Sequence, residues 1–410
     1  MSDTTGLFHR ETYAAQMAEQ LLNPGPLDES TRSGVFLSGI RRVGKTTFLR
    51  QDLIPALETR GALVIYVDLW VDRTKNPSAL VHEAVRNTLR QLQTPGSGLL
   101  QRFKGLNLGA AGFSFGFQLD DVGQPGGATL AQAFEELVNT AHINVVLIVD
   151  EVQQTLGTEE GFALLHALKA ARDAVNARPG MPGRLLFIGT GSHKSLLADM
   201  TSRRAQPFAG AHLVSYLVLD REFVQWQLQR IAATPGVVLP SLDTAWQGFQ
   251  TMGHRPEELL KALRQLQQAH GTDPDTALRI ICATLADAAA DVELKAVEEF
   301  GELGKAVFER IATGPEDGAT GLFGVDALAA YADRTSSVVE TSQVQNIVDK
   351  MVSANLILRP THGKYTVADP FVRKVWRDKL AQLAQLAQLA QLAQLAQLAQ
   401  LAQPPKADLT

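Results

Sequence analysis

Gly39-Ile40-Arg41-Arg42-Val43-Gly44-Lys45-Thr46 is a complete G-x-x-x-x-G-K-[ST] segment set between two ordered patterns. Ahead of it, Gly34-Val35-Phe36-Leu37-Ser38 has the composition of a buried strand. Behind it, Thr47 to Ile54 carries apolar residues at helical spacing. A strand that turns through glycines directly into a helix is a narrow structural choice, and it has a chemical use. Glycines let successive main-chain N–H groups point inward at phosphate oxygens. The helix starting near Lys45 adds its positive end. The expectation is a polyphosphate cradle, with Lys45 against the outer phosphates and the Thr46 hydroxyl on Mg²⁺.

A second apolar run, Ile143 to Val149, is almost continuous in β-branched and aliphatic residues and ends in Asp150-Glu151. Continuous apolar character marks a central parallel strand covered on both faces. At its carboxyl end Asp150 is placed to hold Mg²⁺ through water, and Glu151 to take a proton from an attacking water. A third run, Arg184 to Ile188, leads into Gly189-Thr190-Gly191-Ser192-His193. Thr190 and Ser192 are both candidates to orient that water and sense the outermost phosphate.

The 410 residues allow two or three domains. A formal net charge of −5 supplies no global field for nucleic acid. The one cysteine, Cys282, excludes an internal disulfide and fits a reducing compartment. No apolar stretch approaches the about 20 residues that span a bilayer, and Met1 to Gly6 is not a secretion signal, so a cytoplasmic protein without membrane association is expected.

Along residues 1–220 strands near 34–38, 62–68, 143–149, 184–189 and 212–219 alternate with helices such as Pro77–Leu92 and Gly161–Asn176. That is an α/β domain with a parallel sheet, helices on both faces, and ligand at the strands' carboxyl ends. An insert at about 104–120 breaks the alternation. Leu106, Leu108, Phe113, Phe115, Phe117 and Leu119 repeat with period two about Gly109–Gly112, which predicts a hairpin. Its apolar face is expected on the core domain; an exposed face would mark a partner surface.

Residues 221–300 are helical throughout, with predicted helices at Glu222–Ala233, Leu242–Met252, Pro256–His270 and Asp275–Ala290. Residues 301–378 have the pattern of a winged helix. Helical runs Lys305–Ala312, Val325–Ala332 and Ser342–Ser353 precede short strands Leu356–Arg359 and Lys364–Val367. The presumed recognition helix has few cations, so DNA binding is possible but not favoured over docking on a protein. From Leu380 to Gln403 the triplet Leu-Ala-Gln occurs eight times in succession. Its residues are good helix formers. A period of three makes the leucine stripe drift by about 60° per repeat on a 3.6-residue helix, so no coiled-coil seam forms. The segment 379–410 reads as a low-complexity helical tail, with its last residues disordered.

The chain resembles AAA+/STAND-type P-loop ATPases, and most the archaeal-type ATPase clade. The likeness rests on six segments spanning about residues 7–378. Leu7-Phe8-His9-Arg10-Glu11 resembles the opening Phe-x-x-Arg-Glu box, Gly39 to Thr47 the phosphate loop, and Val149 to Gln153 the Asp-Glu strand end. Thr190-Gly191-Ser192 resembles the third-strand tip, Gly253-His254-Arg255-Pro256 a Gly-x-x-Pro turn in a helical lid, and Lys364 to Phe371 the aromatic-Asp-Pro end of a winged helix. The resemblance implies a P-loop NTPase core over 1–220, a helical lid over 221–300 and a winged helix over 301–378. It implies ATP and Mg²⁺ as ligands, with Gly39, Arg41, Arg42, Val43, Gly44, Lys45, Thr46 and Thr47 around the phosphates. Arg10 and Pro256 would lie near the nucleotide. It also implies an arginine reaching a neighbouring copy's phosphate, for which Arg203 and Arg204 are the candidates, although family members often have Tyr-Gly-Arg there. Such a chain would act as a homo-oligomer. Three outputs fit the residues: an ATP-hydrolysing switch, a slow-turnover scaffold with an unknown protein partner, or an ATP-gated DNA-binding regulator such as a replication or transposition helper.

Overall fold

A computed structural model describes residues 6–72, 75–102, 113–124, 126–269, 271–315, 318–354, 356–361 and 363–401. These form two compact units. One takes the residues up to Leu242 together with His254–Glu257; the other takes Asp243–Gly253 and the residues from Glu258 onward.

The first unit is a five-stranded parallel sheet wrapped by helices. Helix α1 (Glu11–Leu22) leads to β1 (Val35–Ser38), and the glycine loop leads to α2 (Lys45–Phe48). A wider π-type turn, Leu49–Leu53, joins α2 end to end with α3 (Ile54–Thr59). Then follow β2 (Leu63–Asp68), α4 (Pro77–Gln93), α5 (Gly98–Arg102), α6 (Leu130–Ala141), β3 (Val145–Asp150) and α7 (Glu159–Ala177). Strand β4 (Leu185–Gly191), α8 (Lys194–Ser202), β5 (His212–Ser215) and α9 (Arg221–Ala232) complete it. The strand order is β2-β3-β4-β1-β5.

Strand side chains alternate between two cores, which explains the unbroken apolar runs. Phe36, Leu147, Val149 and Phe187 join Val85, Phe134 and Leu165 on one face. Val35, Leu37, Ile148 and Ile188 join Ala14, Phe48 and Leu53 on the other. The capping box at Thr129, with Gln132 answering its backbone amide, sets the start of α6.

Two expectations need correction. The described half of the insert, residues 113–118, is not a strand, and Leu119–Asp121 is a 3₁₀ turn. No hairpin exists over those residues; Leu106, Leu108 and Gly109–Gly112 lie outside the described residues. Period-two phenylalanines also suit an irregular segment laid on a core, and Phe113, Phe115 and Phe117 do pack against the first core, as expected. Strand β5 stops at Ser215 rather than running to 219. The next residues leave the sheet, and the Leu217 carbonyl accepts a hydrogen bond from the Arg10 guanidinium instead of a strand partner.

The second unit holds α10 (Leu242–Thr251), most of α11 (Pro256–Leu266), α12 (Pro274–Glu298), α13 (Gly301–Thr313), α14 (Val325–Thr335) and α15 (Thr341–Ser353). An antiparallel pair, β6 (Ile357–Thr361) and β7 (Lys364–Val367), and the long α16 (Pro370–Leu401) finish it. His362, in the expected loop between these strands, lies outside the described residues. Phe308, Ile311, Tyr331, Val344, Met351, Tyr365 and Phe371 are buried in one cluster. Helix α12 runs on well beyond the expected Ala290. Cys282 on it is buried, and burial pushes its thiol up to about 12, which makes it inert as a nucleophile. Helix α16 continues into the repeat with Leu383, Leu386 and Leu389 each about 60% exposed, as a drifting stripe requires. The residues after Leu401 lie outside the description. Among the described residues no helix is long and apolar enough to cross a membrane.

Candidate functional site

The strand order sets the site. From β1 the chain crosses β4 and β3 to reach β2, while β5 lies on β1's other side. In open parallel sheets ligands bind outside the carboxyl ends of the strands at such a switch point. Register aligns them: Ser38 pairs with Gly191, and Asp68 with Asp150.

The loop turns into α2 through two left-handed residues, Arg42 (φ 65°) and Gly44 (φ 89°). Glycine takes that conformation without penalty. Gly44 is the N-cap and supplies no side-chain hydrogen bond, so the first amides of α2 stay available to a ligand. Gly39 is required for a different reason. A Cβ there would stand 2.8 Å from Cβ of Tyr216, whose backbone amide donates to Ser38. Gly39→Ala should therefore cost about 1–3 kcal/mol through overpacking. Urea unfolding measures it, and an unchanged midpoint would mean that Tyr216 moves aside freely.

Lys45 is 6% exposed, and its Nζ lies 3.7 Å from Oε1 of Glu151. Thr46 Oγ1 donates to Oδ2 of Asp150 at 2.8 Å. The Thr190 hydroxyl donates to the other carboxylate oxygen of Asp150. Tyr66 donates its phenol to Asp150 at 3.0 Å. Burial, then the Asp150 charge, pushes the Tyr66 phenol well above its ordinary range, so it remains a donor. Ser192 Oγ donates to Oε2 of Glu151 at 3.2 Å and accepts from Arg41 Nε at 3.4 Å. Arg41 also lies over the Trp70 ring, 4.7 Å from its centre. Gln153 donates its side-chain amide to Glu151. His193 is buried, and burial, with Arg41 and Lys45 nearby, lowers its pKa to about 4 despite Glu151. Its imidazole is neutral at pH 7.

The structure thus joins Lys45, Thr46, Asp150, Glu151, Thr190, Ser192 and Arg41 in one network. Val43 is fully buried beneath the loop; Arg42 and Thr47 face solvent. Arg10 stands apart from the network in an aromatic box, 4.6 Å from the Tyr13 ring, 5.4 Å from Tyr216 and 5.7 Å from Phe48. Pro256 opens α11 after a turn with Gly253 and His254 at positive φ. Arg203 and Arg204 follow α8 and are exposed, and Arg203 pairs with Asp199 at 3.0 Å. Neither belongs to the hydrogen-bonded network. Sequence reasoning left Tyr66, Gln153 and His193 without roles. A polar ring in the apolar strand Leu63–Val67 was the available signal for Tyr66. Nothing local marked the other two.

The donor set suits a small hard cation. The Thr46 hydroxyl and the Asp150 carboxylate are adjacent oxygens, and among the described residues no group of three or more His, Cys, Asp or Glu side chains is placed to hold a metal. Mg²⁺ is commonly held by one or two protein oxygens, with phosphate and water completing its shell.

Residues 28–197 match the family model described as AAA domain. The segment is similar to AAA domains, and its parallel sheet with flanking helices has the P-loop NTPase fold. No curated protein matches the sequence. The ORC2 protein of Aeropyrum pernix, in a structure titled as ADPNP-ADP complexes, is 17% identical, with 92% of this chain and 96% of that chain covered and a TM-score of 0.47. Its ADP form is 14% identical, with 92% and 95% covered and a TM-score of 0.49. The Aeropyrum pernix ORC1 protein in complex with DNA is 15% identical, with 92% and 95% covered and a TM-score of 0.42.

Proposed function

We propose that this chain binds ATP with Mg²⁺ on the glycine loop, hydrolyses it, and uses the cycle to switch the arrangement of an ATPase core (1–220), a helical lid (221–300) and a winged helix (301–378). One observation carries the reading: the Asp150-Glu151 pair meets Lys45 and Thr46, with 2.8 Å between Thr46 and Asp150 and 3.7 Å between Lys45 and Glu151. A base, a metal-side carboxylate and a phosphate-side cation are then within reach of one phosphoanhydride.

In this reading, Thr46 and Asp150 would hold Mg²⁺, which would supply positive charge to offset that of the phosphates. Lys45 holds the outer phosphates. Glu151 accepts the proton of the attacking water, and Thr190 and Ser192 fix the two carboxylates that serve metal and water. Arg41 and the loop amides cradle phosphate oxygens, while Arg10 and Pro256 border the nucleotide. Arg203 or Arg204, exposed on this copy, serves the site of a second copy, so the active form is a homo-oligomer. Such a finger is worth about 10³- to 10⁵-fold.

The output favours a protein partner over duplex DNA. On α15, Gln345 donates to Asp349 at 3.0 Å and Ser342 to Glu340 at 3.3 Å, which occupies polar groups that would otherwise face base edges. Steady-state ATP turnover against protein concentration, with and without duplex DNA, tests the whole reading. The rate per chain should climb with concentration and ignore DNA. A flat rate removes the trans arginine and leaves a slow-turnover scaffold. Stimulation by DNA, weakened in salt slope by changes at Lys350 and Lys364, would instead favour a DNA-binding regulator.

A further inference from the structure

The geometry assigns Gln153 as the residue that positions the general base Glu151, an assignment that rests on the ATPase reading above. Glu151 leaves β3 in the left-handed region (φ 57°, ψ 41°), which a glutamate rarely adopts. That reversal starts the 3₁₀ turn Val152–Gly157 and folds Gln153 back over the carboxylate two residues behind it.

Gln153 is 5% exposed. Its Nε2 donates to Oε2 of Glu151 and lies 3.3 Å from Nδ1 of His193 and 3.5 Å from Oγ of Ser192. A primary amide has two N–H groups. One serves Glu151, and the neutral His193 imidazole is a fitting acceptor for the other. Its Oε1 is buried with no hydrogen-bond partner. Exchanging the amide's oxygen and nitrogen would set two oxygens against each other at Glu151, so the carboxylate dictates the orientation and the unpartnered oxygen is its consequence.

The placement is tight. A Cβ on Gly191 would stand 2.1 Å from Oε1 of Gln153, so the tip of β4 must be glycine for the amide to fit. With Gln153 and Ser192 both holding Oε2, Oε1 is the oxygen that faces Lys45 and is left to meet a water beside the phosphate. Gln153 thereby selects which oxygen acts and where it points. Its role is positioning, exerted through Glu151.

The test compares the full chain with Gln153→Leu, Glu151→Gln and the double variant in steady-state ATP hydrolysis and equilibrium ATP binding. Misplacing a base by about 1 Å costs on the order of 10²-fold, so Gln153→Leu should lower kcat about 10- to 100-fold while KM and Kd stay within about threefold. In the Glu151→Gln background the same change should alter the residual rate by less than about twofold, because the base it positions is gone. A merely structural role would lower both backgrounds alike, and that outcome overturns the assignment. So does a kcat unchanged by Gln153→Leu in a parent that turns over. Gln153→Met, closer in length, repeats the comparison should the leucine variant fail to fold. A parent chain that does not bind ATP overturns the ATPase reading itself, and this assignment with it.

Discussion

Lys45→Ala should abolish the rise in melting temperature that ATP and Mg²⁺ produce in the parent chain. A ligand at about 100 times its Kd stabilises the folded state by about 2.7 kcal/mol, and that increment should vanish. Lys45 is the buried cation at the mouth of the loop, and the acidic surroundings of Asp150 and Glu151 make it indispensable for a polyanion. Its loss also strands the mostly buried Glu151 with, among the described residues, the Ser192 and Gln153 side-chain donors, so the ligand-free variant should melt lower than the parent. The informative quantity is therefore the ligand-induced shift, measured by calorimetry or dye binding for each protein separately. A variant whose shift equals the parent's would remove phosphate binding from this loop.

Glu151→Gln should separate binding from chemistry. The amide has the shape of the carboxylate but cannot take a proton from water, and a positioned base contributes about 10²- to 10⁴-fold. Turnover should fall by that factor while ATP binding persists. Lys45 loses its ionic partner in this variant, and bound phosphate replaces it, so affinity should hold or tighten. Stopped-flow binding and a phosphate-release assay give the two numbers. Equal turnover in variant and parent would reduce Glu151 to a bystander and transfer the base to another group.

Much of this architecture is legible in the amino-acid sequence. The glycine loop is local chemistry: a buried strand, residues free to take positive φ, and a helix start follow one another within about twenty residues. The strand runs were legible because sheets covered on both faces need both faces apolar, as Phe36 and Leu37 illustrate by entering different cores. The helices of the second unit fell near their expected places because their apolar spacing repeats every three to four residues. The insert failed on the same kind of signal. Phe113, Phe115 and Phe117 alternate, yet alternation constrains only which side chains face the core and does not oblige the backbone to pair.

The chain by itself determined that a phosphate loop exists, that two acids end a buried strand, and that the Leu-Ala-Gln tail builds a helix without a seam. Each depends on neighbours in sequence, where propensity and periodicity act directly. Only the tertiary structure decided that Thr46 and Asp150, 104 positions apart, share a hydrogen bond, and that Gln153, Ser192 and Lys45 divide the oxygens of Glu151 among them. Those meetings are set by the β2-β3-β4-β1-β5 order and its register. Hydrogen bonds reach about 3 Å and have direction, and no local pattern of residues encodes which distant strand tips will be brought that close.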